Sequence, residues 1–278
     1  MAKECSNTNC SKESCEGCPS RGGAVDFSFP MNDRSRIHHV IGVISGKGGV
    51  GKSSVTAMLA VYLNRQGYRV GILDADVTGP SIPRMLGVHE IEGVENESVM
   101  LPGISAAGIK VMSINLVLET EDTPVIWRGP VLCSVIRQFW SDVVCGELDY
   151  LLVDMPPGTG DVALTVFQSL PVDGVILVSS PQNLVEMIVA KAYHMAEMMH
   201  IPVLGVVENF SFLRCPDCGK IIPLFGESRL EEWAGAHGIP LLKKLPLDPE
   251  MTAYADTGRM EYYPNCELEE IASSLPKD

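Results

Sequence analysis

The octapeptide Gly46-Lys47-Gly48-Gly49-Val50-Gly51-Lys52-Ser53 decides the fold class of this 278-residue chain. It satisfies the pattern G-x-x-x-x-G-K-S, which is typical of loops that bind the phosphates of a nucleotide. The glycines allow a tight turn that points successive N–H groups at one anion. Lys52 supplies an ammonium for the β- and γ-phosphates, and the Ser53 hydroxyl is placed to bind Mg²⁺. Ser54 is expected to add a nucleotide contact, and Lys47 is a second lysine that an ordinary loop of this kind does not need.

The residues on both sides of this loop show the pattern that it requires. The apolar run His39–Ser45 predicts a buried strand before the loop, and apolar residues at helical spacing predict a helix over Ser53–Gln66. The N-terminal end of that helix adds positive potential at the phosphates. Strand, loop and helix therefore occur in the order of a P-loop, and a nucleoside triphosphate with Mg²⁺ is the expected ligand.

Apolar runs alternate with helical periods along the rest of the chain. We predict strands over Val40–Ser45, Val70–Leu73, Ile109–Ile114, Tyr150–Asp154, Gly174–Ser179, Val203–Glu208 and Leu241–Leu245. We predict helices over Ser53–Gln66, Val131–Ser141, Val162–Leu170, Leu184–His200, Glu227–His237 and Glu267–Ser274. This alternation indicates an α/β fold whose mostly parallel sheet is covered by helices on both faces. We assign residues 37–278 to one P-loop ATPase domain with a C-x-x-C insertion at 215–218.

The composition restricts the classes of function. The net charge is −14, and an acidic surface repels nucleic acid and anionic lipid, so we expect neither as a partner. No apolar run reaches the length of a membrane span, and the first residues do not resemble a signal peptide. Nine cysteines in such a chain indicate thiolate chemistry rather than a disulfide framework. We therefore predict a cytoplasmic protein.

The first 36 residues are a polar, cysteine-rich tail that cannot bury a core. Its four cysteines have the spacing C-x₄-C-x₄-C-x₂-C and are Cys5, Cys10, Cys15 and Cys18. Four thiolates so close together can hold a second iron–sulfur cluster or zinc, or the tail can be flexible and unoccupied. Three further cysteines stand alone and are interpreted as buried or idle thiols: Cys133, Cys145 and Cys266.

Two predicted strands end in acidic residues. Asp74 and Asp76 lie at the end of the strand that begins at Val70, and Asp154 ends the strand that begins at Tyr150. Parallel sheets place their chemistry at the carboxyl ends of strands. We expect Asp76 to orient the attacking water, Asp74 to support the waters of Mg²⁺, and Asp154 to hold Mg²⁺ through water as in a Walker B motif. The glycine-rich segment that follows Asp154 can change conformation when the γ-phosphate is lost.

Polar residues also follow two predicted strands nearer the C-terminus. Asn209 comes directly after the strand Val203–Glu208, and Pro246 and Asp248 follow the strand Leu241–Leu245. Because these strands end at the same edge as the loop, an amide and a carboxylate there can bond the amino group and ring nitrogens of adenine.

Five ordered motifs resemble the Mrp/ApbC family of deviant Walker A ATPases, which are iron–sulfur cluster carriers. The resemblance spans about residues 37–270. It rests on Gly46–Ser53, Leu73–Pro83, Trp127–Pro130, Asp154–Asp161, and Glu208-Asn209 shortly before Cys215-Pro216-Asp217-Cys218. The resemblance implies a SIMIBI-like P-loop NTPase fold, ATP hydrolysis, and delivery of clusters from the assembly machinery to apoproteins.

The resemblance also implies roles for individual residues. Lys47 would be the signature lysine that crosses a dimer interface to the phosphates bound by the other subunit. Asp76 and Asp154 would lie in the two switch segments and act with Lys52 in catalysis. Asn209 would read the base, with the segment Pro246–Asp248 near it. Cys215 and Cys218 would be the cluster ligands.

The same cysteine pair favours a homodimer by ligand counting alone. One C-x-x-C supplies two thiolates, whereas a 4Fe–4S cluster takes four. A two-fold dimer completes such a half-site. The extra lysine, Lys47, independently favours the presence of a second subunit. The cofactors expected on this reading are ATP, Mg²⁺ and a 4Fe–4S cluster.

Two other interpretations of Cys215 and Cys218 stay open at this point. A redox dithiol is disfavoured because the pair lacks the strand-to-helix setting of that chemistry. The second interpretation is that the pair forms half of a zinc ribbon. The sequence resembles a zinc knuckle over Cys215-Pro216-Asp217-Cys218-Gly219-Lys220. The pair formed by Cys15 and Cys18 would have to supply the other half.

Other classes of function are distinguished by simple features. A MinD- or ParA-type spatial regulator is one alternative, but the C-terminal segment Glu267–Ser274 is acidic rather than a basic membrane helix. A reductase like the nitrogenase iron protein uses single, separated cysteines rather than C-x-x-C. A zinc-stabilised scaffold that binds nucleotide without turnover would be told apart by metal analysis.

Overall fold

The computed structural model describes residues 29–76, 79, 81–96, 99–118, 129–182, 185–226, 228–266 and 268–277. The tail cysteines Cys5, Cys10, Cys15 and Cys18 lie outside the described residues. So do Trp127 and Arg128 of the motif before the third helix.

Nine of the described strands form one sheet. The strands are β1 (Arg36–Ser45), β2 (Val70–Asp74), β3 (Gly93–Asn96), β4 (Val99–Leu101), β5 (Gly103–Ile104), β6 (Lys110–Ser113), β7 (Glu147–Asp154), β8 (Gly174–Ser179), β9 (Val203–Arg214), β10 (Ile221–Ile222) and β11 (Leu241–Pro246). The order across the sheet is β10-β9-β8-β1-β7-β2-β6-β5, and β11 also pairs with β9. β3 and β4 form a separate hairpin.

The helices connect these strands. They are α1 (Lys52–Arg65), α2 (Ile82–Leu86), α3 (Gly129–Ser141), α4 (Asp161–Ser169), α5 (Val185–Met198), α6 (Leu230–Ala236), α7 (Pro249–Asp256) and α8 (Glu269–Ser273), with short 3₁₀ turns at Ile114–Leu116 and Met260–Tyr262. No helix in the described part of the chain has both the length and the apolar character needed to cross a bilayer.

The centre of the sheet is parallel, as predicted. β1 lies between β7 and β8 and is parallel to both. β2, β6, β9 and β11 continue the parallel arrangement, whereas β5 and β10 pair antiparallel at the two ends. All the central strands therefore end at one edge, where the loop after β1 lies. The register brings Asp74 of β2 opposite Asp154 of β7.

Two hydrophobic layers cover the faces of the sheet, which confirms the predicted helix–sheet–helix arrangement. The alternation of side chains along β1 shows how one strand supplies both layers. Val40 and Ile44 pack in the layer with α3, α4 and α5. Ile41 and Val43 pack in the other layer, with α1 and the C-terminal helices. All four side chains are at most 2 % exposed, so the strand that leads into the phosphate loop is fixed from both sides.

The structure adds short elements that the sequence patterns did not predict. α2, β3, β4, β5 and β10 have between two and five residues each, and α7 has eight. β9 was predicted to end at Glu208 but continues to Arg214. The last six residues of β9 carry the chain from the sheet edge to Cys215, so this extension matters for function.

The first described residues pack on the domain although the predicted tail includes them. The Phe29 N–H donates to the Ser169 carbonyl at 3.0 Å. The Trp140 indole N–H donates to the Phe29 carbonyl at 2.9 Å, and the Arg137 guanidinium lies over the Phe29 ring. Residues 29–35 are thus held against α3 and α4, upstream of the boundary predicted near residue 36.

Candidate functional site

The phosphate loop lies between the end of β1 and the start of α1. Gly49 and Gly51 have φ angles of 79° and 75°, in the left-handed region that only glycine adopts without strain. The loop opens into a solvent-accessible cleft. Most of the predicted phosphate contacts line it together with Asp76: Lys47, Gly48, Gly49, Val50, Gly51, Lys52, Ser53 and Ser54. Gly46 lies behind the loop, where a Cβ atom would be 2.3 Å from the Ile188 carbonyl oxygen.

Lys52 and Asp154 form a buried ion pair below the loop. The Lys52 Nζ lies 2.7 Å from the Asp154 Oδ1, and the two side chains are 6 % and 0 % exposed. The Ser53 hydroxyl donates to the Asp154 Oδ2 at 2.5 Å. The Thr56 hydroxyl donates to the Asp154 Oδ1 at 2.9 Å. The predicted Mg²⁺ ligands Ser53 and Asp154 are therefore brought together, and both oxygens of Asp154 are held by groups of α1.

Asp74 lies beside this pair as a second buried carboxyl group. It is fully buried and accepts hydrogen bonds from the Asp76 N–H at 3.2 Å, the Ile82 N–H at 3.3 Å and the Ser113 hydroxyl at 3.3 Å. Burial raises the pKa of Asp74 well above its usual range, and the neighbouring Asp154 charge raises it further, while the Lys52 ammonium acts in the opposite direction.

Asp76 and the segment after Asp154 border the mouth of the cleft. Asp76 lines the cleft together with Pro157. The Gly158 N–H donates to the Ser45 carbonyl at 2.9 Å, so the glycine-rich segment is attached to the base of the phosphate loop. Both predicted switch segments thus contribute to the lining of the cleft, and their contact with a γ-phosphate stays a prediction.

The extra lysine, Lys47, is bound within its own subunit. Its ammonium donates to the Gln182 amide oxygen, which follows β8. Its carbonyl accepts a hydrogen bond from the Ser45 hydroxyl at 3.0 Å, which fixes the backbone at the start of the loop.

Asn209 contacts the phosphate loop directly. Its amide Nδ2 donates to the Val50 carbonyl at 3.0 Å, and the side chain is 1 % exposed. Its Oδ1 atom is buried and has no hydrogen-bond partner among the described residues. An unpaired buried acceptor is costly, and the amino group of a bound base is a donor that would satisfy it. The expectation that Asn209 reads the base stays a prediction that this geometry favours.

Pro246 and Asp248 make contacts within the fold, at the end of β11 and at the start of α7. Pro246 pairs with Phe212 at the end of β11. The Asp248 Oδ1 accepts from the Glu250 N–H at 2.8 Å and so caps α7, and its Oδ2 accepts from the Tyr263 hydroxyl at 2.6 Å. Both oxygens of Asp248 are occupied within the fold, and its predicted base contact is not tested by this geometry.

Cys215 and Cys218 lie at the tip of the β9–β10 hairpin. The Cys215 N–H donates to the Lys220 carbonyl at 3.0 Å, and the Gly219 N–H donates to the Cys215 carbonyl at 2.9 Å. The backbone N–H of Cys218, and then that of Asp217, donate to the Cys215 sulfur and lower its pKa. Donors arranged in this way favour a thiolate, the form in which cysteine binds metal.

The cysteine pair has the accessibility of a ligand half-site. Cys218 is exposed and Cys215 partly exposed. Among the described residues no group of three or more His, Cys, Asp and Glu side chains is placed to hold a metal ion. Burial raises the pKa of Cys145 to about 11 and also raises that of Cys266, as expected for idle thiols. Cys133 accepts a hydrogen bond from the Thr165 hydroxyl at 2.8 Å, within the α3–α4 contact.

Three residues at the site were not identified from the sequence. Thr56 lies one helical turn after Lys52 and could have been found from the i, i+4 spacing on α1. Gln182 and Phe210 gave no such signal, because each contacts the phosphate loop only through the tertiary fold. Phe210 lies within 3 Å of the position that a Cβ atom of Gly51 would occupy.

Comparison with known proteins identifies the lineage of this site. Residues 36–277 match the family described as "ParA: NUBPL iron-transfer P-loop NTPase". An iron–sulfur cluster carrier protein of Clostridium perfringens is 45% identical over 262 residues, covering 91% of this chain and 92% of the relative. A protein of the same description from Methanocaldococcus jannaschii is 43% identical over 272 residues, covering 95% and 94%.

Solved structures agree with this match. A nucleotide-binding protein of Archaeoglobus fulgidus in complex with ADP and with cobalt has a TM-score of 0.73 and 44% identity, covering 83% of this chain and 90% of that one. The MinD cell-division ATPase of Pyrococcus furiosus has a TM-score of 0.60 at 23% identity, covering 85% and 99%, which shows a shared fold alone. The resemblance inferred from the five motifs is thereby confirmed, and the chain belongs to the iron-transfer P-loop NTPase family.

Proposed function

We propose that this protein is an ATP-dependent iron–sulfur cluster carrier that holds a cluster between two subunits and transfers it to apoproteins. One observation carries the proposal. Cys215, which is partly exposed, and Cys218, which is exposed, follow the end of β9, the strand whose Asn209 contacts the phosphate loop. A nucleotide site and a half-site for a metal cluster are thus built on one strand. The relatives described as cluster carriers support this reading.

The residues at the loop are suited to ATP hydrolysis. Lys52 is placed to neutralise the β- and γ-phosphates, and Asp76 lines the cleft where it can orient the attacking water. Ser53 and Asp154 would hold Mg²⁺, which neutralises the charge that develops on the phosphates. Their hydroxyl and carboxylate donors fit a hard cation. The reaction needs positioning and charge neutralisation and forms no covalent intermediate with the protein.

The cluster is cargo, and its binding follows from ligand number. Cys215 and Cys218 supply two thiolates, and the described residues around them supply no further ligand set. A second copy of the chain, related by a two-fold axis, would bring the count to the four thiolates of a 4Fe–4S cluster. We propose that this pairing forms the functional homodimer.

Lys47 would connect the dimer to the nucleotide. In the single subunit its ammonium is bound to Gln182, which follows β8. In the dimer it would turn to the triphosphate of the other subunit. Loss of the γ-phosphate would then weaken the contact between subunits and change the exposure of the bridging cluster.

The surroundings in which the protein would act also follow from its thiols. The described cysteines are free, which fits a reducing compartment such as the cytoplasm. The partners would be the machinery that assembles clusters and the apoproteins that receive them. The MinD- and ParA-like structures share the fold at identities below 25%, so they support no shared role.

The decisive experiment is anaerobic reconstitution of the wild type and of the Cys215→Ala/Cys218→Ala variant, with iron and sulfide counted per dimer. We expect the variant to lose about four irons per dimer. A Cys133→Ala variant is the matched control and should retain them. Zinc in place of iron in the anaerobically purified protein would identify a zinc knuckle instead, and unchanged iron in the double variant would place the ligands elsewhere.

A further inference from the structure

The strand β9 passes directly against the phosphate loop before it reaches the cysteine pair. Asn209, in the middle of β9, donates to the Val50 carbonyl of the loop. Cys215 is six residues further along the chain, directly after the end of β9 at Arg214. At about 3.3 Å per residue in a strand, the two points are at most about 20 Å apart. One continuous piece of backbone therefore connects the two sites.

The contact between loop and strand leaves no free space. A Cβ atom built on Gly51 would lie 2.2 Å from the Asn209 Nδ2 and 2.9 Å from the Phe210 Cζ. Protein interiors packed this closely transmit displacements instead of absorbing them. Any movement of the loop backbone at Gly51 when phosphates bind must therefore be followed by Asn209 and Phe210.

Phe210 has a backbone conformation that is unusual for an aromatic residue. Its φ is 56°, in the left-handed region, which bulky residues rarely occupy without a compensating contact. The pairing with β11 shows why. Between the pairs Lys244–Glu208 and Pro246–Phe212, three residues of β9 stand opposite a single residue of β11. Phe210 is thus the centre of a β-bulge, a device that redirects a strand.

The bulge is fixed on its far side as well. The Glu208 carboxylate, 1 % exposed, accepts hydrogen bonds from the Ser211 and Ser228 hydroxyls. Ser228 lies on the segment that follows β10. The bulge therefore contacts the phosphate loop on one side and the segment between β10 and α6 on the other.

We propose that Phe210 is a positioning residue that couples the occupancy of the phosphate loop to the position of Cys215 and Cys218. The ring rests against Gly51, and the left-handed backbone at the bulge sets the direction of β9 beyond it. This inference rests on the proposed function, because it explains how a nucleotide regulates a cluster site on the same chain. Coupling of this kind is reciprocal, so metal at the cysteines must also change nucleotide affinity.

The test measures the alkylation of Cys215 and Cys218 by iodoacetamide in the reduced, cluster-free chain, with peptides resolved by mass spectrometry. In the wild type we expect Mg–ADP to change the alkylation rates about fivefold or more. Phe210→Gly removes both the ring and the strain, so ADP should still bind while the rates become independent of it. Tyr262→Gly removes an exposed aromatic side chain elsewhere and should behave like the wild type.

A second variant separates folding from coupling. Asparagine tolerates the left-handed region, so Phe210→Asn keeps the backbone of the bulge and removes only the ring contact with Gly51. We expect it to lose the response to ADP as well. A wild type that shows no response, or a Phe210 variant that binds ADP and keeps the full response, overturns the proposal.

The reciprocal measurement needs no change at Phe210. Zn²⁺ bound by the cysteine pair should change the dissociation constant of Mg–ADP about fivefold or more in the wild type. The Cys215→Ser/Cys218→Ser variant should show no such change. An unchanged constant in the wild type would also overturn the coupling. Because neither assay uses an assembled cluster, failure of reconstitution would reject the carrier function without deciding the coupling.

Discussion

Gly51 shows how much of the nucleotide site depends on the absence of one carbon atom. It has nearly the same φ as Gly49, but its surroundings differ. Nothing lies within 4 Å of the position of a Cβ at Gly49, whereas Asn209 and Phe210 occupy that position at Gly51. The two glycines therefore separate the cost of backbone conformation from the cost of contact with β9.

Alanine substitutions at these two glycines should differ in stability. Gly49→Ala should cost about 1–2 kcal/mol of unfolding free energy, the price of a left-handed alanine. Gly51→Ala adds overpacking against β9 and should cost about 2–5 kcal/mol in total, with loss of ADP binding. Urea unfolding and calorimetric titration give both quantities. Equal losses of unfolding free energy in the two variants would show that β9 moves to accommodate the added methyl group at Gly51 with little strain.

Asp74 gives the nucleotide-free protein a specific dependence on pH. Because its pKa is raised in the folded state, the folded chain binds more protons than the unfolded chain above the ordinary carboxyl pKa. This contribution is fully present below that value and is lost as pH rises toward the raised pKa. An asparagine does not titrate. Its single oxygen can accept from only one of the two N–H groups, because the Asp76 N–H bonds Oδ1 and the Ile82 N–H bonds Oδ2, but this loss is the same at every pH.

We therefore expect Asp74→Asn to raise the Tm at pH 8 more than at pH 5, measured by thermal unfolding in the presence of a chelator and without nucleotide. The wild type should lose stability between these pH values relative to the variant. Asp149→Asn is a useful comparison, since Arg69 holds the pKa of that carboxyl at about 2. Parallel Tm profiles for wild type and Asp74→Asn would mean that Asp74 ionises normally.

At the scale of elements, the start of α7 shows that Asp248, which the sequence predicts to contact the base, also has a structural role. Asp248 caps the first turn of α7 and binds the Tyr263 hydroxyl. Asp248→Ala should lower the unfolding free energy by about 1–2 kcal/mol through loss of the cap. Asp248→Asn should retain most of it, because asparagine is also a good N-cap.

The same pair of variants tests the base contact that the sequence predicted. If Asp248 acts through the cap alone, ADP affinity in Asp248→Asn should equal that of the wild type. A clear drop in the affinity for ADP, with GDP affinity unchanged, would show that the carboxylate reads adenine. Isothermal titration with both nucleotides distinguishes these outcomes.

The long elements of the fold were predictable and the short ones were not. In α1 and in the buried strands the apolar residues follow one regular spacing along the whole element, so their hydrophobic patterns are unambiguous. α2 and β10 have five and two residues and owe their existence to tertiary contacts. The end of β9 was missed for the same reason: its residues from Phe210 onward are half-buried or exposed, and they are held as a strand by pairing with β10 and β11.

The site divides in the same way. The phosphate loop, Asp154 and the cysteine pair are contiguous motifs, and the structure brings most of the predicted phosphate-contacting residues into one cleft. The contact of Asn209 with Val50 joins residues 159 positions apart, and that of Lys47 with Gln182 joins residues 135 apart. Pairs so distant in sequence follow only from the order of strands in the sheet, which puts β8 next to β1 and β9 next to β8.

At the scale of the whole molecule, two independent features favour a dimer with two-fold symmetry. Lys47 is a second lysine that the phosphate-loop pattern does not require, and Cys215 and Cys218 supply half of a four-thiolate set. A two-fold axis would account for both features, because each subunit would then contribute a lysine and two thiolates to sites shared with the other. If this is so, the catalytic site is shared, and a defect in one subunit can be supplied by the other.

Mixing two inactive variants tests whether the site is shared. Lys47→Ala dimers lack the lysine supplied in trans, and Ser53→Ala dimers lack the hydroxyl for Mg²⁺, so each homodimer should hydrolyse little ATP. In a mixed dimer, the Lys47→Ala subunit keeps its own Ser53 and receives Lys47 from its partner, which completes one of the two sites. Random assortment of equal amounts should then recover about a quarter of the wild-type rate. If Lys47 instead acted on the nucleotide of its own subunit, no mixture could contain a complete site, and the rate would stay at the level of the separate variants.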